Sequence, residues 1–103
     1  ISFISNAKKL DGGWESSEWF GDYLPNANGW IYHIDLGWCF PVIDSQQNHW
    51  LWLEEYGWVW TTPSVWPYLY RNDTSSWIYL LQRKSGPALI FDRTYEHFLP
   101  IHK

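Results

Sequence analysis

The sequence predicts an all-β fold, an antiparallel meander of about eight to ten strands made from four or five repeated aromatic β-hairpins. Three observations carry this prediction. Bulky Trp, Tyr, Ile, Val and Leu residues alternate with period two and leave no competing helical period. A degenerate unit of about twenty residues recurs along the chain. Short turn-forming stretches separate the two arms of each unit.

The repeats are "WIYHIDLGWCFP" (30–41), "WLWLEEYGWVWT" (50–61), "YLYRNDTSSWIYL" (68–80) and "LIFDRTYEHFLP" (89–100). Their first arms open at Trp30, Trp50, Tyr68 and Leu89, and their second arms carry Trp38, Trp58, Trp77 and His97. Asp35-Leu36-Gly37 and Glu55-Tyr56-Gly57 read as three-residue loops with glycine last, where a bulged hairpin needs a left-handed residue. The third loop is longer, Asp73-Thr74-Ser75-Ser76, and the fourth is Thr94-Tyr95-Glu96; neither contains glycine. Residues 1–29 form a partial or capping unit around Trp14, Trp19, Phe20 and Tyr23. A helical turn starting after Gly13 is an option there. Residues 30–103 hold the four full hairpins, and the whole chain reads as one domain. The connectors "PVIDSQQNH", "TTPSVWP" and "LQRKSGP" supply the turn residues between units.

These loops set an expected register: Ile34 opposite Trp38, Tyr32 opposite Phe40, Trp52 opposite Trp60, Tyr70 opposite Tyr79 and Phe91 opposite Leu99. One face then carries Trp30, Tyr32, Trp38, Phe40 and their equivalents through Leu99, nearly all aromatic. The other carries Ile31, Cys39, Leu51, Leu53, Val59, Leu69, Ile78, Leu80, Ile90 and Phe98, with His33, Arg71 and Asp92 among them. Both faces are apolar, so a single layer with one wet side is not expected. The hairpins are expected to stack as a solenoid or to curl into a two-layer body, with most of the aromatic stripe in the core.

Composition narrows the function. A chain of 103 residues with a net charge of −4 and few lysines does not suit a phosphate backbone, so no nucleic-acid partner is expected. No apolar run reaches the roughly 18 residues of a membrane span. At the start, "ISFISNAKKLDGG" places its charges after the apolar part, unlike a signal peptide. The single cysteine, Cys39, has no partner for an intrachain disulfide, and its apolar setting reads as a small buried hydrophobe.

"WIYHIDLG" and "WLWLEEYG" resemble the choline- and glucan-binding repeats of bacterial surface proteins, with Trp30, Tyr32 and Gly37 matching position for position and Trp50, Trp52 and Gly57 nearly so. "GWESSEWFGDY" and "GWVWTTPSVWPYLYR" look closer to Trp/Tyr-rich modules of predicted secreted bacterial proteins. The chain departs from the choline-binding pattern after each glycine, where Trp38-Cys39 and Trp58-Val59 stand, and it has no Met. The resemblance implies a hairpin array in a secreted or cell-surface setting. It also implies that a choline cage would draw on Trp30, Tyr32, Trp50 and Trp52.

The expected activity is therefore binding without catalysis. Trp faces suit the apolar face of a pyranose ring and attract quaternary ammonium groups. Aromatic residues exceed what one small core needs, so Trp38, Trp58, Trp60 and Trp66 are the rings expected at the surface, with Trp30, Tyr32, Trp50 and Trp52 beside them. The partner would be a carbohydrate or choline-like cell-wall component. The alternative is docking onto another protein domain or onto copies of itself. No cofactor is expected, because no Gly-rich phosphate loop occurs. His33, His49, His97 and His102 lack metal-ligand spacing. Glu54 and Glu55 would point to opposite faces of a strand. Glu15 and Glu18 could pair on a helix, but carboxylates in such places are usually solvated, so no catalytic residue is assigned.

Overall fold

The computed structural model describes residues 3–82, 87–93 and 96–101. Thr94 and Tyr95 of the fourth loop, residues 83–86 of the last connector, His102 and the side chain of His97 lie outside what is described. Eleven antiparallel strands follow one another in a single meander: β1 (Lys8–Lys9), β2 (Glu15–Ser17), β3 (Gly21–Pro25), β4 (Ile31–His33), β5 (Gly37–Ile43), β6 (His49–Leu53), β7 (Gly57–Thr61), β8 (Tyr68–Arg71), β9 (Ser76–Leu81), β10 (Leu89–Asp92) and β11 (His97–Pro100). The predicted all-β hairpin array is what forms. The sheet stays open, with β1 and β11 as its edges. Two lysines on β1 and Pro100 on β11 occupy those edges, residues that discourage pairing with a further strand.

No second layer covers the sheet among the described residues, yet one face is sealed. Cys39, Leu51, Val59, Leu69, Ile78, Leu80 and Ile90 are at most 1% exposed and belong to one cluster. The sheet must therefore cover itself. Eleven strands spaced about 4.8 Å apart would span about 48 Å if flat, whereas the largest dimension of the molecule is 37 Å. The curl brings distant parts together: Gln82 Nε2 donates to Asp35 Oδ2 at 2.6 Å.

This arrangement corrects the expected location of the aromatic stripe. The stripe lies on the convex side, half-buried or exposed, while the alternating aliphatic residues, with Phe20, Tyr23 and Tyr56, make the core. Volume gives the reason. Side chains converge on a concave face, where Leu, Ile and Val interdigitate at native density. They diverge on a convex face, which has room for indoles. A single sheet with an apolar, partly wet outer face is thus what the chain builds.

The register also differs from expectation, by two residues in the first three units. Tyr32 pairs with Trp38, Trp50 with Trp60, Trp52 with Trp58, Tyr68 with Tyr79 and Tyr70 with Trp77. A shift of two leaves every side chain on its expected face. The loops begin one residue early because their third residue turns inward: Leu36 and Tyr56 are buried, as is Phe20 in an additional hairpin between β2 and β3. In the fourth unit the loop has four residues, and Asp92 pairs with His97 and Phe91 with Phe98. That odd shift puts Phe98, rather than Leu99, on the aromatic face. Among the described residues of the N-terminal segment the one helical turn is a 3-10 turn at Asp11–Gly13. Glu15 lies in a strand, so the helical turn expected to carry Glu15 and Glu18 does not form.

One rule unifies the five tips. An inward-facing residue closes the first arm at Ser17, His33, Leu53, Arg71 and Asp92, and the residue four positions later has positive φ: Gly21, Gly37, Gly57, Ser75 and Glu96. The inward residue often holds the loop directly. Ser17 Oγ accepts the Phe20 amide at 3.1 Å, His33 Nδ1 accepts the Asp35 and Leu36 amides at 3.1 Å, and the Leu53 carbonyl accepts the Tyr56 amide at 3.1 Å. His33 Nε2 then carries the proton and donates to the Phe20 carbonyl at 2.6 Å.

Two predictions test this architecture. A Cβ at Gly57 meets nothing nearer than Asp73 Oδ2 at 3.7 Å, so Gly57→Ala feels only the left-handed backbone. It should cost about 1–2 kcal/mol in urea unfolding, and no loss would contradict the assigned turn. Neighbours on one strand should also respond oppositely to charge. Val59→Lys buries an unpaired ammonium, costing several kcal/mol, enough to prevent cooperative folding. Trp58→Lys keeps its head in water and forfeits a ring pair worth about 0.5–1.5 kcal/mol beyond its area. Circular dichroism of the two variants reads the difference.

Candidate functional site

The convex face carries the strongest candidate site, built by the repeat itself. Each hairpin contributes one aromatic residue from each arm, and the preceding second arm contributes another. The result is a series of cross-strand triads: Phe40–Trp52–Trp58, Trp60–Tyr70–Trp77 and Tyr79–Phe91–Phe98. The first full hairpin begins the series with Leu24–Tyr32–Trp38, and Trp14 stands edge-on to Tyr32. Within the hairpins the rings meet at centroid distances of 5.3 Å (Tyr32–Trp38), 5.6 Å (Trp52–Trp58), 5.2 Å (Tyr70–Trp77) and 5.0 Å (Phe91–Phe98). These edge-to-face and tilted contacts lock each ring against its neighbour. The face is therefore a set of fixed apolar plates.

The sequence-assigned residues divide between two places. Trp38 is 50% exposed, and Trp52 and Trp58 are also exposed on the convex face. Tyr32, Trp50 and Trp60 stand half-buried in the same rows. Trp30 packs on Phe40 at 5.5 Å and lines a recess with Lys9, Pro25 and Ile43. Trp50 Nε1 donates to Asp44 Oδ2 at 3.0 Å, which fixes that ring to the connector. Asp44 also accepts the Gln46 and Asn48 amides, and these bonds lower its pKa to about 2. Trp66 stands apart from the rows. It packs against the core, with centroids 5.0 Å from Phe20, 5.6 Å from His33 and 6.0 Å from Trp19.

One groove on the convex face involves residues outside that set. Tyr68, Trp77, Tyr79, Phe91 and Phe98 line it together with Arg93, and it encloses about 370 Å³. A second groove, of about 460 Å³, continues from Tyr68, Trp77 and Arg93 to Ser64 and Trp66. Tyr68 is 50% and Phe98 47% exposed. The sequence held a signal for this groove, since Trp77, Tyr79 and Phe91 share the aromatic face and Arg93 follows Phe91 at the same parity.

Two charged clusters elsewhere hold parts of the fold together. Arg71 donates from Nη1 to the fully buried Asp92 at 2.8 Å, bonds Asp73 at 2.7 Å and donates from Nε to the Tyr56 carbonyl at 3.2 Å. Its guanidinium also lies 5.2 Å from the Tyr56 ring centroid. Glu15 is buried and accepts the Tyr23 hydroxyl at 2.9 Å; burial, reinforced by that carboxylate, raises the Tyr23 pKa. Burial likewise pushes the Cys39 thiol up to about 12. Glu18, Glu54 and Glu55 are exposed. Among the described residues no group of His, Cys, Asp and Glu has the geometry of a metal site, and no helix is long and apolar enough to cross a membrane.

His49 lies on the inner face at the connector end, edge-on to Phe3 at 5.0 Å and Trp19 at 5.2 Å. Its Nδ1 is buried with no hydrogen-bond partner among the described residues. Burial lowers its pKa below the ordinary 6.5, against a weaker opposing pull from Asp44. A lowered folded-state pKa means that the unfolded chain takes up the proton first, so this contribution to stability is present above about pH 6.5 and is lost as pH falls toward the folded pKa. The stability of the protein relative to His49→Phe should therefore decline on acidification from about pH 7.5 to about pH 5. A constant difference across urea titrations at those pH values would contradict the assignment.

Comparison with known proteins yields no match: no family model, no curated protein and no solved structure is similar to the chain at a significant level.

Proposed function

We propose that this protein is a non-catalytic binding module that holds carbohydrate on its convex aromatic face, in the setting of a secreted or cell-surface bacterial protein. The observation that carries the reading is the inversion of the usual arrangement. Along the hairpin arms the smaller aliphatic residues face the core, which Phe20, Tyr23 and Tyr56 complete, and the rings of the stripe stand outside in ordered rows. Large rings on the surface add contact area that the fold does not require. The contiguous aromatic face is of the kind that marks binding surfaces. Rings locked by their neighbours lose little freedom on binding, which favours affinity.

The geometry favours sugars over a choline cage. A quaternary ammonium sits over a ring face within about 6 Å of its centroid. Within each hairpin the ring pairs touch at 5.0–5.6 Å, so no cation fits between the two arms of one hairpin. Pyranose rings need only an outer edge or face to lie against. The exposed Tyr68 and Phe98 near the open β11 edge favour a second reading, docking of another protein or a second copy, since aromatic side chains also dominate interface centres.

Tryptophan fluorescence titrated with a panel of oligosaccharides and with choline tests the proposal. A saturable change with at least one glycan class is expected, and Trp77→Ala/Tyr79→Ala should weaken it at least about tenfold, a loss of about 1.4 kcal/mol. Silence across the panel, together with concentration-dependent sedimentation, would favour the docking reading instead.

A further inference from the structure

We propose that the groove between β8 and β11 selects glycans in which an acidic sugar stands among neutral ones, with Arg93 receiving the carboxylate; this rests on the carbohydrate-binding reading. The groove is lined by five rings, Tyr68, Trp77, Tyr79, Phe91 and Phe98, with Ile78 beside them. Its one charged member is Arg93, which also lines the adjoining groove toward Ser64 and Trp66 and so stands between the two. The ladder explains its position. Asp92 pairs with Ile78, so Arg93 continues β10 at the level of Trp77.

This guanidinium is available. Arg93 is exposed and makes no ion pair among the described residues. Asp92, the next residue back, and Asp73, in the preceding tip, are both held by Arg71. Arg71 therefore occupies Asp73 and Asp92, and Arg93 stands as a positive charge beside apolar plates. A guanidinium presents a planar fork that matches a carboxylate through two hydrogen bonds. A ring face on one side and a carboxylate on the other describe a uronic acid. The overall charge of −4 works against a densely anionic polymer. One cation among five rings fits one acidic sugar flanked by neutral neighbours.

The test uses matched pairs of probes: a glucuronosyl xylo-oligosaccharide against a plain xylo-oligosaccharide of equal length, and a hyaluronan oligosaccharide against a chito-oligosaccharide. Within at least one pair the acidic member should bind about tenfold more tightly, the size of a charge-assisted contact of about 1.4 kcal/mol. The advantage should shrink with added salt in the unaltered protein. Arg93→Gln should abolish the difference between the acidic and neutral members of that pair. Equal binding of both members in every pair, or an advantage that survives Arg93→Gln, overturns the acidic-sugar assignment and leaves the carbohydrate-binding reading standing. Binding of no probe, acidic or neutral, overturns both.

Discussion

Packing of Leu, Ile and Val against one another on the concave side of a single curled sheet is the constraint on which the rest of the molecule depends. Each strand alternates a compact aliphatic residue with a large ring, as in Trp50-Leu51-Trp52-Leu53 and Trp58-Val59-Trp60. Were the rings to face inward, their volume would hold the walls apart. With the aliphatic residues inside, the walls close and Leu51, Val59 and Leu69 are fully buried. The same closure places the rings where strands splay apart, so core and binding face are two results of one alternation.

The tips complete the closure. Phe20, Leu36 and Tyr56 turn back over the core, and each is placed by the inward residue three positions earlier. Where the inward residue is charged, as at Arg71 and Asp92, the two neutralise each other across β9. A buried carboxylate needs such a partner, because its desolvation is not otherwise offset. Arg71 also holds Asp73 in the tip between β8 and β9.

Much of this was legible in the residues. Period-two alternation gave the strands, and Gly37 and Gly57 marked two tips. Two features were hidden. Alternation says which residues share a face but not which face is concave; only the contrast in side-chain volume carries that information. The fourth tip was hidden because its left-handed residue is Glu96, which has no glycine signature, so a four-residue loop read as three and Phe98 moved to the other face. The hairpin at β2 and β3 was available, because Ser17 and Gly21 repeat the spacing of His33 to Gly37 and Leu53 to Gly57. The groove was half legible: its rings belong to the predicted aromatic face, but their convergence around Arg93 depends on the curl.

The claim that the rings face outward is open to direct measurement. Fluorotryptophan incorporated throughout the chain gives one ¹⁹F resonance for each indole, and a soluble paramagnetic agent broadens those that water reaches. The account predicts strong broadening for Trp38, Trp52, Trp58 and Trp77, with Trp19 and Trp66 markedly protected. Protection of Trp38, Trp52, Trp58 and Trp77 to the same degree as Trp66 would mean that the aromatic face is the core, and the account would be wrong.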